Sequence, residues 1–219
     1  MARLGLVALG DSITVGEGNL VCGTPCRSWA LWLAELLDLP FTGRAVNGAV
    51  VADVLGEQLP RVRAEYDVGT LFVGVNDVRA AGWDGGAFER AYRTVVAGLA
   101  ARCSRVLLLT PPLDLGRPPA GAKVAELDRI VRQAAVRASA PVCDLADLRG
   151  WTVLLPDAVH PTALGQLEIA ARGARALGAP ADGLPERVLG PRGRASYARS
   201  HGRMLARDVL RRRAEAWRA

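Results

Sequence analysis

Leu4-Gly5-Leu6-Val7-Ala8-Leu9 carries no polar side chain, and it stops at Gly10-Asp11-Ser12-Ile13-Thr14. A short apolar run without alternation is the pattern of a strand buried on both faces, the condition of a parallel sheet. Parallel neighbours need crossover connections, usually helices, so the rest of such a chain must alternate strand with helix. Thr70-Leu71-Phe72-Val73 repeats the apolar pattern and ends in Gly74-Val75-Asn76-Asp77; Arg105–Thr110 repeats it and is stopped by Pro111-Pro112. Shorter strands are expected around Arg44–Val46, before the Asn47-Gly48 turn, and at Pro141-Val142-Cys143.

Helical periodicity fills the gaps. Ser28 is a candidate N-cap for a stripe of Trp29, Trp32, Leu33, Leu36 and Leu37, and Pro40 follows its end. A helix is expected near Ala52–Leu59, interrupted at Pro60. Phe88, Tyr92, Val95, Val96 and Leu99 share one face of another, preceded by a loop at Val78–Gly86. Ala122–Ala138 turns Val124, Leu127, Val131 and Ala134 inward, and Ala163–Leu177 closes the ordered pattern after a loop from Asp144 to Pro161. The class is α/β, with about five parallel strands. A chain of 219 residues is most simply one domain with a full core. We expect that domain to span residues 1–180, and residues 181–219 to form a Gly/Pro-rich linker and a basic C-terminal helix.

Charge and cysteine usage narrow the function. From Pro185 onward ten arginines face only Glu186, Asp208 and Glu215, which gives +7 to the tail and leaves −1 for the other 184 residues of a chain whose total is +6. The body therefore has no basic nucleic-acid surface, and no nucleic-acid partner is expected. The arginine tail has two readings: weak contact with an anionic surface, or a solvated helix that lays Tyr197, Leu205 and Val209 on the body. No window of eighteen apolar residues exists, so no membrane-spanning helix is expected. Met1-Ala2-Arg3-Leu4 resembles a signal peptide only superficially, because cleavage after the apolar stretch would remove the strand before Ser12; a mature cytoplasmic protein is the expectation. Cys103 and Cys143 read as buried thiols, and Cys22 and Cys26 as loop thiols in a reducing compartment. With only His160 and His201, the chain offers few further zinc ligands.

A serine at the carboxyl end of a parallel strand stands where open α/β sheets bind ligands. Its hydroxyl needs a base and oxyanion donors before it can act as a nucleophile. Asp157 and His160 lie three apart in the loop after the last strand, where a carboxylate can hold an imidazole in one tautomer and leave its other nitrogen to deprotonate Ser12. Alone, an Asp-x-x-His is more often a cap and an incidental histidine; a serine at a strand end and the scarcity of histidine shift that balance. Three groups are candidate oxyanion donors: the backbone N–H of Ser12, the backbone N–H of Gly48 and the side-chain amide of Asn76. Ser12 has glycine two residues before it and Thr14 two after, which departs from the Gly-x-Ser-x-Gly elbow of α/β-hydrolases.

Taken together, Gly10-Asp11-Ser12-Ile13-Thr14, Gly48 in its turn, Gly74-Val75-Asn76-Asp77 and Asp157-Ala158-Val159-His160-Pro161 resemble the motifs of the SGNH (GDSL-type) hydrolase family, in the family's order, over Leu4 to about Leu177. Ile13 stands where many members have leucine, and Gly48 lacks the second glycine often seen beside it. The resemblance implies a flavodoxin-like three-layer α/β/α sandwich. It implies Ser12 as nucleophile, His160 as base, Asp157 as its orienting carboxylate, and Gly48 and Asn76 completing the oxyanion hole. It implies no metal or cofactor, and a small-molecule substrate: a carbohydrate or other O-acyl ester, a thioester or a lipid ester. An acyltransferase with the same triad and a non-catalytic binding module with the same fold are the alternatives. Arg79 reads as a solvated loop arginine or an anion contact. Trp83 and Trp151 either wall a substrate pocket or pack under their loops.

Overall fold

Strand β1 (Leu6–Gly10) is an interior strand of the sheet, paired on both sides and buried along its whole length. The computed structural model describes residues 3–16, 26–116 and 120–182, with 195, 198–199, 201–207 and 209–210 of the C-terminal segment. β1 is flanked by β2 (Phe41–Gly43) and β3 (Tyr66–Phe72); β4 (Cys103–Leu109) and β5 (Val142–Cys143) continue beyond β3. Every pairing is parallel, and the order is β2-β1-β3-β4-β5. The chain reverses its direction of travel across the sheet at β1/β3, and ligands of such sheets bind at the carboxyl ends of the strands beside this switch point.

Two helix pairs cover the sheet: α2 (Trp29–Leu36) with α7 (Ala163–Ala176), and α5 (Gly85–Ala100) with α6 (Ala122–Ala138). Their sides follow from strand alternation. Gly69 of β3 faces Leu99 of α5, whereas the next residue, Thr70, pairs with Leu107 of β4, which faces the neighbourhood of Gly173 in α7 and Leu33 in α2. The result is the expected three-layer α/β/α sandwich. The inward stripes of α5 and α6 are those read from the sequence, with Ile130 and Ala135 added in α6. Ser28 caps α2 as expected, accepting from the Ala30 N–H. Cys103 and Cys143 are buried thiols; the Cys22–Cys26 question lies outside the described residues because Cys22 does.

Three local expectations need correction. The second strand forms at Phe41–Gly43, three residues before the expected Arg44–Val46. The later residues still donate into β1, Arg44 N–H to Ala8 O (2.9 Å) and Val46 N–H to Gly10 O (3.1 Å), but Val46 is solvent-exposed. An edge segment bonded on one side does not advertise its register through apolarity. The expected helix near Ala52–Leu59 is three short pieces: α3 (Val51–Asp53), a π-helical turn at Val54–Gln58 and a 3₁₀ turn at Leu59–Arg61. Pro60 has no N–H to donate and cannot extend an α-helix. The start of the expected loop at Val78–Gly86 belongs to a short helix, α4 (Val75–Arg79), and its end to α5.

Among the described residues, no helix is long and apolar enough to cross a membrane. Residues 201–207 are helical. His201 meets the Trp151 ring edge-on at 6.2 Å, and Leu205 joins Trp151, Leu154, Leu155 and Pro156 around a cavity of about 230 Å³. Leu205 and Val209 both keep more than two fifths of their surface exposed; Tyr197 and the linker at 183–194 lie outside the described residues.

Gly10 closes β1 at φ +155°, and a Cβ there would lie 2.3 Å from the Phe72 carbonyl oxygen of β3 and 2.6 Å from Thr14 Oγ1. Neither the strand backbone nor the buried Thr14 can yield without moving Ser12. Gly10→Ala is expected to lower unfolding free energy by about 1–3 kcal/mol, the usual range for overpacking, and to reduce turnover. Denaturant titration checks this; an unchanged midpoint would contradict it.

Candidate active site

Ser12 is the first residue of α1 (Ser12–Val15), a single helical turn that follows β1. Asp11 caps it, its Oδ1 accepting from the Ile13 N–H at 3.0 Å. As the first helical residue, Ser12 has a backbone N–H with no partner inside the helix. Its side chain is turned toward the loop after β5, where its Oγ lies 2.8 Å from His160 Nε2.

Asp157 and His160 are joined by more than their spacing. Asp157 Oδ1 accepts from the backbone N–H groups of Val159 (2.9 Å) and His160 (3.1 Å), which fixes the carboxylate in its own turn. That leaves Oδ2 for His160 Nδ1 at 2.6 Å. A carboxylate only accepts, so Nδ1 carries the proton and Nε2 is the acceptor facing the Ser12 hydroxyl. Ala158 takes a left-handed conformation (φ +55°) to close this turn. The turn is pinned at its base by Leu155 N–H to His160 O (2.8 Å) and by an antiparallel bridge between Leu154 and Pro161. Thr162 then caps α7 through the Gly165 N–H.

Asn76 and Gly48 come from neighbouring strand ends. Gly10 pairs with Phe72 in the sheet, so Ser12 follows the end of β1 and Asn76 follows the end of β3 on the same edge. Gly48 sits exposed in its turn at φ +77°, a conformation that favours glycine. Asn76 Nδ2 donates to Ala49 O at 3.0 Å, and an amide NH₂ has a second proton to give. Asp77, a residue the sequence reading gave no role of its own, accepts from the Val51 N–H at 3.1 and 3.3 Å. The pair Asn76-Asp77 therefore clamps residues 49–51 directly after Gly48. The structure thus brings Ser12, His160 and Asp157 into one hydrogen-bonded chain and ties the Gly48 turn to Asn76.

The two tryptophans separate. Trp83 donates from Nε1 to Glu126 Oε2 at 2.7 Å and stacks at a tilt on Phe88, so it packs under its loop. Trp151 is half exposed, on the loop that carries Asp157. Arg79 is exposed at the carboxyl end of α4. Among the described residues, no group of three or more His, Cys, Asp or Glu side chains is arranged to hold a metal ion.

The carboxylates near the site are tuned in opposite directions. Burial alone would raise Asp157, but hydrogen bonds from the His160 ring and from the Val159 and His160 N–H groups outweigh it and hold its carboxyl below the usual range. Burial pushes Asp11 up to about 7, against the Ile13 N–H and the His160 charge, which lower it; the Asp77 charge adds to the rise. Asp11 is fully buried, and among the described residues its Oδ2 has no hydrogen-bond partner. Burial likewise raises Asp77, against the Val51 N–H.

A profile of the GDSL-like lipase/acylhydrolase family matches residues 8–167, which include all five of these positions. No curated protein matches the sequence. Among solved structures, an acetylxylan esterase from Geobacillus stearothermophilus superposes with a TM-score of 0.63 at 20% identity, over 85% of this chain and 100% of that one. An alpha/beta hydrolase enzyme from the metagenome of Lake Arreo, Spain, superposes with a TM-score of 0.64 at 21% identity, over 81% of this chain and 97% of that one.

Asp11 supplies a stability test. Below its ordinary value of 3.8 the carboxyl is neutral in both folded and unfolded chains. Between 3.8 and about 7 the unfolded chain releases the proton while the folded chain keeps it, so stability from this group falls as pH rises. Asp11→Asn keeps the cap and removes the ionisation. The melting temperature of the variant relative to the native chain is expected to increase from pH 4 to pH 7.5, by the equivalent of a few kcal/mol. A difference independent of pH would contradict the buried, partnerless carboxyl.

Proposed function

Because the chain belongs to the GDSL-like lipase/acylhydrolase family of serine hydrolases, we propose that it cleaves a carboxylic ester through an acyl-enzyme on Ser12. The observation that carries the reading is the 2.8 Å approach of Ser12 Oγ to His160 Nε2, in a ring whose Nδ1 is held by Asp157. Ser12 Oγ attacks the acyl carbon as His160 takes its proton, and the low-lying Asp157 carboxylate stabilises the imidazolium that forms. The carbonyl electrons move onto oxygen, which is held by the N–H groups of Ser12 and Gly48 and by the Asn76 amide. As the tetrahedral centre collapses, the bond to the alcohol breaks and His160 Nε2 protonates the departing oxygen. Water, deprotonated by the same nitrogen, then releases the acid and restores Ser12.

The clamp of Asn76 on Ala49 and Asp77 on Val51 supports the oxyanion assignment. It sets the Gly48 turn before substrate arrives, so little reorganisation remains for the transition state. An acceptor alcohol in place of water would make the same chemistry an acyl transfer. The acetylxylan esterase among the similar folds makes acetylated carbohydrates a first natural class to assay beside simple acyl esters and thioesters.

Steady-state kinetics on an activated short-chain ester test the assignment. Ser12→Ala is expected to fold and to lose nearly all turnover; a native rate would overturn the proposal. Asn76→Ala is expected to lower kcat by roughly 10²–10³ with little change in KM, because an oxyanion bond strengthens in the transition state. A variant impaired only in KM would make Asn76 a substrate-binding residue. The native rate is expected to fall on acidification below neutrality, where an imidazole gains its proton. Asp11 ionises in the same range, so that limb belongs to both groups. A flat profile from about pH 5 to 9 would mean a base other than histidine.

A further inference from the structure

We propose that Gln58 and Gln166 are positioning residues for Ser12: two buried side-chain amides that grip the backbone on either side of the nucleophile and fix its hydroxyl against His160 and the oxyanion donors. This rests on the assignment of Ser12 made above.

The argument starts from the shortness of α1. Four residues cannot sustain a helical turn by themselves, and the last carbonyls of any helix lack internal partners. Asp11 O and Ser12 O are used within the turn, by Thr14, Val15 and Gly16. Among the described residues no backbone N–H reaches Ile13 O or Thr14 O, and both are met by side chains from elsewhere. Gln166 Nε2 donates to Ile13 O at 3.0 Å, and Ser28 Oγ donates to Thr14 O at 2.5 Å. Gln166 Oε1 accepts from the Trp29 N–H at 2.7 Å, one of the first-turn donors that α2 cannot satisfy internally. One wholly buried amide therefore joins α1, α2 and α7. Its position in α7 matters most. Gln166 stands one turn after the Thr162 cap and six residues after His160. The path from Ser12 through Ile13 O, Gln166 and back along the chain to His160 is a short closed ring, and it sets the separation of nucleophile and base.

Gln58 does the same on the other side. Gly10 N–H donates to its Oε1 at 3.0 Å and its Nε2 donates to Gly10 O at 2.9 Å, so the amide pairs with the last residue of β1 as a further strand would. Gly10 O also accepts from Val46 N–H, two residues before the Gly48 turn. Gln58 thus meets the end of β1 at the carbonyl where the oxyanion loop is attached. It is the last residue of the π-helical turn, and such turns recur at functional sites. Neither amide is favourable as mere filling, since an amide removed from water costs free energy unless both its oxygen and its nitrogen find partners. Here all four groups do, and all four bonds fall on the Ser12 segment or on the helix start beside it.

The test compares Q58L, Q166L and Q166E with the native chain and with Ser12→Ala, by kcat and KM on an activated ester across pH 5–9 and by melting temperature. Loss of a clamp is expected to lower kcat about 10- to 100-fold, the scale of an ångström-sized misplacement, with KM nearly unchanged. Q166E adds a second readout, taken only at pH values where its melting temperature shows the variant folded. A protonated carboxyl offers one acceptor and one donor, as the amide does; once ionised it only accepts. The other groups of the site are common to both proteins, so the ratio of the Q166E rate to the native rate isolates the new carboxyl. That ratio is expected to fall as pH rises. Folded leucine variants with kcat within about twofold of native, less than any clamp loss of this size, would overturn the proposal. If the leucine variants do not fold, a Q166E ratio constant with pH would overturn it. An active Ser12→Ala would instead strike the nucleophile assignment, so the two failures are distinguishable.

Discussion

A single turn of helix has no means of holding its own shape in water, and this chain places the Ser12 hydroxyl on one. Everything around Ser12 follows from that constraint. The turn is fixed by a cap before it (Asp11), by a strand beneath it (β1) and by side chains that reach its carbonyls from α2 and α7. The sheet provides the frame. Because β1 is buried along its whole length and paired on both sides, its carboxyl end is held by β2 and β3 together. The strands on either side then deliver the Gly48 turn and Asn76 to the same edge.

The electrostatics of the site divide the work between two aspartates of unlike environment. Asp157 lies in a turn that supplies it with two backbone N–H groups and the imidazole, which hold its carboxyl below the usual range, as the proposed mechanism needs of a group that would oppose charge on His160. Asp11 lies under the turn, with one oxygen occupied and the other without a donor among the described residues, and burial pushes its pKa up to about 7. The cap is therefore kept at some cost in stability near and above neutral pH. Such a cost is consistent with a local arrangement kept for position rather than for stability alone.

Much of this was legible in the sequence, for reasons that differ by residue. Ser12 and Asn76 each follow an uninterrupted apolar run, and strand ends of a parallel sheet share one edge, so their convergence follows from alternation. Asp157 and His160 were legible through spacing. The bounds of α6 are those expected, because its stripe is long and regular. What was hidden lies in irregular backbone. The 41–46 segment bonds on one side only, and residues 51–61 pass through three helical forms, so neither keeps a period that a pattern can report. Gln58 and Gln166 were missed because glutamine on a helix reads as solvent-facing. A signal was present all the same: Gln58 extends the stripe of Val51 and Val54, and Gln166 stands between Ala163 and Ile169 on the buried face of α7. Asp77 was read only as part of a motif, since its role is to hold a backbone N–H from a distant loop.

The central claim is that Ser12, activated by His160, is the atom to which the acyl group is transferred. The most direct measurement is covalent capture: treat the full-length protein with an organophosphonate, digest it, and locate the adduct by mass spectrometry. The account predicts one adduct per chain, on Ser12, formed in step with loss of esterase activity and suppressed by His160→Ala. An adduct on any other residue, or full inactivation with Ser12 unmodified, would contradict it.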